Sequence, residues 1–301
     1  GAAVKTALIT GAAGFVGRHM TRYLRDADWN VVGNDILWEP TQNIITGHSD
    51  ARFDLVIHAA AVGPNRKAID TAPSHFPHNV GLDAQMIEWV AKTQQPRFVY
   101  LSSSAIYPKT LQGLTGWRST ADPGFMGSRR LREHQDFEDL PFDSYGETKR
   151  IGEKMCAAAS ESGTKVTIVR PFTGYGTDQS EDFPFRAFLE RARRMDDPFK
   201  IWGSAEQVRD WIHIDDICAG IMKLVDEEVT RPVNLCTGVG HSMRELAEMM
   251  MARAGYKGKI EVDVNEPLGV HFRVGDPTFM AYWYVPKITL DEGVDRAFRG
   301  V

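Results

Sequence analysis

The segment Thr10-Gly11-Ala12-Ala13-Gly14-Phe15-Val16-Gly17 constrains the fold more than any other in this chain. It joins an apolar run, Val4 to Ile9, to a stretch from Phe15 to Arg25 with the apolar spacing of a helix. Glycine lets the backbone turn tightly there. It also lets a ligand approach the first N–H groups of the helix, where the dipole favours anions. The pattern then continues. Asn30 to Asp35 and Asp54 to Ala60 read as strands, Asn79 to Lys92 as a helix, and Arg97 to Leu101 as a buried strand. Tyr145 to Ser162 reads as a further helix and Lys165 to Val169 as a further strand. Such alternation predicts an α/β fold, a doubly wound parallel sheet with helices on both faces.

From about Gly176 the alternation loosens into helices and short strands, as in a smaller α/β domain. The expected division is a sheet domain over residues 1–175 and a smaller capping domain over 176–301, some segments of which return to the sheet. Two irregularities interrupt the first domain. Only about 18 residues separate Asp35 from Asp54, so one strand–helix unit is abbreviated. The stretch 108–142, from Pro108 to Phe142, is rich in Gly, Pro and Arg, and loops of that length are usually lids or binding loops. Its Arg118, Arg129, Arg130 and Arg132 suggest a lid that adds cationic contacts to an anionic substrate; a solvated loop is the alternative.

Composition narrows the function. Hydrophobic residues at 43% and charged residues at 25% fit a folded globular chain rather than a disordered one. No apolar run approaches the ~20 residues of a membrane span. With 35 Lys and Arg against 40 Asp and Glu, the net charge of −5 lacks the basic footprint of a nucleic-acid binder. The three cysteines, Cys156, Cys218 and Cys236, contain no CxxC and suit neither a disulfide framework nor a metal site. No secretory pattern leads the first strand, and a cytoplasmic location is expected.

Three groups of residues carry chemistry. Asp35 lies at the tip of the second strand, 24 residues after Gly11. A carboxylate there accepts both hydroxyls of an adenosine ribose and repels a 2′-phosphate, and Ile36-Leu37-Trp38-Glu39 brings no basic residue, so NAD is expected over NADP. Tyr145 and Lys149 stand at i and i+4 on one helix face. A phenol is a poor base at neutral pH, and an ammonium beside it favours the phenolate. Ser102-Ser103-Ser104-Ala105-Ile106-Tyr107 follows a buried strand, and parallel sheets hold ligands at such strand ends. His58 and His213 alternate with apolar residues and read as hydrogen-bonded core residues, not bases.

The segments TGAAGFVG, DLVIHAAA, FVYLSSSAIYP, SYGETK, VRPFTGYG and VRDWIHIDDI, in this order, resemble the extended short-chain dehydrogenase/reductases. Within them the likeness is to the NAD-dependent sugar-nucleotide epimerase/dehydratase family, and it runs from Val4 to about Phe298. It implies a Rossmann-type NAD-binding domain in which Gly11, Gly14 and Gly17, with the Phe15 and Val16 amides, hold the pyrophosphate. It also makes the domain over 176–301 mainly substrate-binding. Asp35 with Ile36 would take the adenosine ribose, while Ala59, Ala60, Ala61 and Asn79 would line the cofactor and Pro171-Phe172 would lie against the nicotinamide. Ser103, Tyr145 and Lys149 correspond to the catalytic residues, Lys149 also holding the nicotinamide ribose. Ser103, Ser104, Thr173, Arg209 and Arg273 correspond to substrate-binding positions, the two arginines on the diphosphate; an ion pair with Asp216 or Asp276 is the alternative for them.

Departures narrow the chemistry. Dehydratases of this likeness carry Asp-Glu after the catalytic hydroxyl, decarboxylases a Glu, and some epimerase/reductases a Cys; this chain has Ser104-Ala105. What remains needs only Ser, Tyr and Lys. The expectation is reversible inversion at carbon 4 of a nucleotide-diphosphate sugar, hexose or hexuronate, through a transient 4-keto sugar. An NAD(H)-dependent nucleotide-sugar 4-ketoreductase or dehydrogenase is the alternative, and a non-catalytic NAD-binding regulator a more distant one. Thr173 resembles the uronate 4-epimerase branch, but the arginine that branch places seven residues later is Ser180 here. The family likeness also implies a homodimer through the helices at Asn79–Lys92 and Tyr145–Ser162. Met86, Trp89 and Met155 fit such a face or the core.

Overall fold

The structure is a computed structural model, and it describes residues 3–35, 50–61, 74–113, 130–134, 139–265 and 268–301. Strands β1 (Thr6–Thr10), β2 (Asn30–Asn34), β3 (Leu55–His58), β4 (Arg97–Leu101) and β5 (Lys165–Pro171) build most of a parallel sheet. With β9 (Val233–Leu235) it has six strands in the order β2-β1-β3-β4-β5-β9. The chain steps from β1 to β2 on one side, then returns past β1 to β3 on the other. That reversal opens a crevice at the carboxyl end of β1, and the glycine-rich turn lies in it.

Both sheet faces are covered because the strands alternate apolar residues to each side. Ala7, Ile9, Leu55, Ile57 and Val99 meet helix α1 (Phe15–Asp26) and helix α5 (Ile214–Asp226). Leu8, Val56, Phe98 and Tyr100 meet α2 (His75–Thr93) and α3 (Ser144–Glu161). Helix α2 starts at His75, four residues ahead of the sequence reading. Pro77 falls in its first turn, where the missing N–H has no intrahelical partner to lose. Met86 and Trp89 are buried in this layer of the single chain, so they present no surface to a second copy.

A second lobe stands over the carboxyl end of the sheet. Its centre is β8 (Val208–His213), which pairs with β6 (Thr173–Tyr175), β10 (Gly240–Ser242) and β12 (Phe272–Arg273). Helices α4 (Pro184–Arg193), α6 (Met243–Arg253) and α7 (Leu290–Arg299) enclose a separate core around Tyr175, Phe185, Phe199 and Trp211. Strand β7 (Phe199–Trp202) pairs in parallel with β11 (Ile260–Asp263) beside it. The chain crosses between lobes more than once. After β8 it returns to the first sheet as α5 and β9, and Met280 packs into that same core.

Among the described residues no helix is long and apolar enough to cross a membrane, and no group of His, Cys, Asp and Glu could hold a metal.

Candidate active site

The glycine-rich turn shows why its glycines are needed. Gly11 has φ +69°, and a Cβ on it would lie 2.7 Å from the backbone of Ala59 and Ala60. A Cβ on Gly17 would lie 2.0 Å from the Gly11 carbonyl oxygen. Only bare backbone lets α1 start this close to β1 and β3. Gly14 occupies the N-cap position with no side chain capping the helix, so the first amides of α1 face the crevice. Asp35, just past β2, accepts a hydrogen bond from the Ala13 N–H at 3.0 Å and thereby fixes the turn.

On the other wall, α3 carries Tyr145 and Lys149. Asp143 caps this helix by accepting from the Gly146 N–H at 2.9 Å. Gly146 lets the helix touch the serine turn, since a Cβ there would lie 2.2 Å from the Ala105 carbonyl oxygen. The Lys149 side chain is buried, and its Nζ donates to the Leu101 carbonyl at 2.9 Å. The same Nζ lies 5.8 Å from the Tyr145 ring centroid and 5.1 Å from that of Tyr100. Ser103 Oγ accepts from the Ala105 N–H at 3.1 Å, and Ser104 is buried.

Below the serine turn lies a buried ion pair. Arg170, at the end of β5, donates Nε and Nη2 to the two oxygens of Glu153 at 2.9 and 2.7 Å. Glu153 also accepts from the Ser102 hydroxyl at 2.5 Å, so the pair fixes the residue next to Ser103. Burial alone would depress the Arg170 guanidinium, but the Glu153 carboxylate reverses this and holds it above its usual range.

The second lobe contributes arginines. Arg209 and Arg273 stand side by side in the β8–β12 register. Burial, reinforced by the charge of Arg273, pushes the Arg209 guanidinium well below its ordinary range. Arg209 donates to the carbonyl of its own neighbour Val208 at 2.9 Å, and Arg273 Nε donates to Gln112 Oε1 at 2.6 Å. Of the two carboxylates named as alternatives, Asp216 accepts from the Tyr284 hydroxyl and the Lys287 and Ile288 N–H groups, and Asp276 pairs with Arg132 at 3.0 Å. Asp210, between Arg209 and Trp211, is fully buried and accepts from Thr237, Gly238 and Gly275. Burial raises its carboxyl to about 6 in spite of those donors.

These walls enclose a cleft of about 530 Å³. Of the residues singled out in the sequence, Gly14, Phe15, Val16, Gly17, Ala59, Ala61, Ser103, Ser104, Tyr145 and Lys149 line it. Pro171, Phe172, Thr173, Arg209 and Arg273 complete the opposite wall. Gly11, Asp35, Ala60 and Asn79 do not line it, and Ile36 lies outside the described residues. The lid idea fares less well. Arg118 and Arg129 are outside the described residues, while Arg130 and Arg132 do not line the cleft. Sequence reasoning passed over Arg18, Asp143, Gln179 and Phe183, which do line it; they sit in helix starts and turns with no motif to mark them. His58 and His213 are buried and hydrogen-bonded, the latter capping α5 through the Asp215 N–H, as the sequence led us to expect.

A model of the NAD-dependent epimerase/dehydratase family matches residues 7–236. The chain belongs to that family. It is thus an NAD-dependent enzyme of the extended short-chain dehydrogenase/reductase type. An uncharacterised UDP-glucose epimerase of Bacillus subtilis, YtcB, is 26% identical over 71% of this chain and 70% of its own. GDP-L-fucose synthase of Escherichia coli is 27% identical over 82% of this chain and 80% of its own. In fold, the chain is similar to the UDP-glucuronic acid 4-epimerase of Bacillus cereus bound to UDP-glucuronic acid and NAD. That match has a TM-score of 0.77 at 22% identity and covers 98% of each chain.

The residues present fit the dinucleotide. The close backbone approach at Gly11 and Gly17 and the uncapped start of α1 leave room and donors for a pyrophosphate. Asp35 stands at the end of β2, where the ribose of such a ligand reaches.

Proposed function

We propose that this protein is a 4-epimerase of a nucleotide-diphosphate sugar, acting through a transient 4-keto sugar. The observation that carries this reading is the cleft itself, with Ser103, Tyr145 and Lys149 on one wall and a pair of arginines on the other. Tyr145, as phenolate, takes the proton of the 4-hydroxyl. Lys149, its Nζ 5.8 Å from the Tyr145 ring centroid, supports the phenolate and is held in place by the Leu101 carbonyl. Ser103 donates to the carbonyl oxygen as it develops. NAD would be held at the glycine-rich turn and Asp35, and would supply reversible hydride exchange with carbon 4. Arg209 and Arg273 hold the diphosphate, which keeps the keto sugar in the cleft while it turns its other face. The turn after β4 offers no carboxylate, since Ser104 and Ala105 occupy it, and this supports inversion over dehydration.

A second reading, an NAD(H)-dependent 4-ketoreductase, draws support from the fucose synthase relative. It uses the same residues without retention of the keto sugar. Proton NMR of the protein with NAD⁺ and a panel of nucleotide hexoses and hexuronates separates the two. A 4-epimer formed without net NADH is the expected result. Stoichiometric NADH consumption on keto sugars, with no epimer from any member of the panel, would replace it by the reductase.

A further inference from the structure

Beneath the cleft lies a cluster that the catalytic reading leaves unused. Asp83, on α2, faces His58 Nε2 at 2.8 Å and accepts from the Tyr100 hydroxyl at 2.6 Å. Thr10 Oγ1 lies 2.7 Å from His58 Nδ1. The order Thr–His–Asp looks like a nucleophile with its base and acid, yet each of the three is at most 1% exposed, so no substrate reaches them. The cluster acts instead on what surrounds it. Thr10 directly precedes Gly11, His58 precedes Ala59, and Tyr100 precedes Leu101, whose carbonyl holds Lys149.

Lys149 faces this cluster from α3, its Nζ 5.1 Å from the Tyr100 ring centroid. Gly152, three residues on, makes the approach possible. A Cβ there would lie 1.8 Å from the Tyr100 hydroxyl oxygen and 2.9 Å from Asp83 Oδ2. Burial pushes the Asp83 carboxyl up, but His58, the Lys149 charge and Tyr100 together bring it below its usual range. Burial and Asp83 push the Tyr100 phenol well up, so it remains a donor. An ionised Asp83 can only accept, so His58 Nε2 carries a proton and donates to it.

We propose that Asp83 is a positioning residue for the acid–base pair: a buried counter-charge behind Lys149 that fixes the ammonium beside Tyr145 and limits its pull on the phenol. The proposal rests on the reading of Tyr145 and Lys149 given above. The ionisable groups facing Asp83 are His58 on β3, Tyr100 on β4, and Lys149 and Cys156 on α3. Burial keeps the Cys156 thiol protonated, so the positive charge that answers the carboxylate comes from Lys149 and, when protonated, His58.

The test is the pH profile of kcat in the NAD-loaded enzyme for wild type, Asp83→Asn and Tyr100→Phe. Asp83→Asn keeps the shape and removes the charge. The ammonium then acts undiminished on Tyr145 and is itself less stabilised, so both limbs of the profile move to lower pH by about one unit. Tyr100→Phe leaves the carboxylate in place, so its limbs stay while its thermal midpoint falls. A folded Asp83→Asn with lowered kcat and unmoved limbs would mean a packing role only, and would overturn the proposal.

Should Asp83→Asn fail to fold, Lys149→Gln supplies the same information through stability. It is expected to lose thermal midpoint at mildly alkaline pH and to regain it as Asp83 protonates in acid. A loss that is equal at every pH overturns the proposal. Tyr145→Phe belongs in the same series, because retained activity there would overturn the underlying reading of the site instead.

Discussion

The two walls of the cleft are built on opposite electrostatic terms. On the sheet side the charged groups are answered within the protein: Arg170 by Glu153, Lys149 by the Leu101 carbonyl with Asp83 behind it. On the second lobe, Arg209 stands half-buried beside Arg273, and partial burial and like charge both work against its protonation. The lesson is a division of labour. Groups that must keep one geometry through a reaction are satisfied before substrate arrives. In the function proposed above, Arg209 grips an anion that offsets the charge of its neighbour, and binding would draw on that relief.

The largest effect that tests this contrast is on the sheet side. Tyr145→Phe is expected to lower kcat by about 10² to 10⁴-fold, the usual worth of a positioned acid–base group, with nucleotide-sugar affinity nearly unchanged. Steady-state rates beside direct binding read the two quantities separately. Next comes Arg209→Met. Removing a charge-assisted contact to the diphosphate should raise KM about ten- to a hundredfold, while the thermal midpoint of the free protein holds or rises. A fall in midpoint together with unchanged KM would make Arg209 a structural residue.

Asp210 gives a pH test of the same wall. Its carboxyl, raised to about 6, binds a proton more tightly folded than unfolded. Stability from this group is therefore present in acid, declines as pH rises from roughly 4 to 6, and is level above that. The decline is on the order of 3 kcal/mol, and Asp210→Asn should lack it. Denaturant midpoints of both proteins across that range would show parallel curves if Asp210 does not titrate there. The smallest effect is expected at Arg132. Its pair with Asp276 is half-exposed on the arginine side and stands outside the cleft. Arg132→Ala should change stability by less than about 1 kcal/mol and leave KM alone; a raised KM would restore the lid.

Much of the sheet-side wall was legible because its residues come in contiguous motifs. A strand end, a glycine-rich turn and a helix start are adjacent in sequence, and Tyr145 and Lys149 share one helix face. What escaped was assembled from scattered positions. Asp83 meets His58 and Tyr100 across 25 and 17 residues, and Glu153 meets Arg170 across 17, on elements that only the folded sheet brings together. Helix α2 was read as starting at Asn79 but starts at His75, with Pro77 in its first turn, where a proline breaks nothing. The second lobe was the least legible. Its strands run from two to six residues, too short for periodicity to separate from turns, and its chain is interleaved with the sheet domain.

The most direct test of the divided site is calorimetric titration of nucleoside diphosphates into the NAD-loaded wild type, Tyr145→Phe and Arg209→Met. The account predicts that Tyr145→Phe binds as tightly as wild type and that Arg209→Met binds at least about tenfold more weakly. Equal binding by Arg209→Met, or a matching loss in Tyr145→Phe, would contradict it.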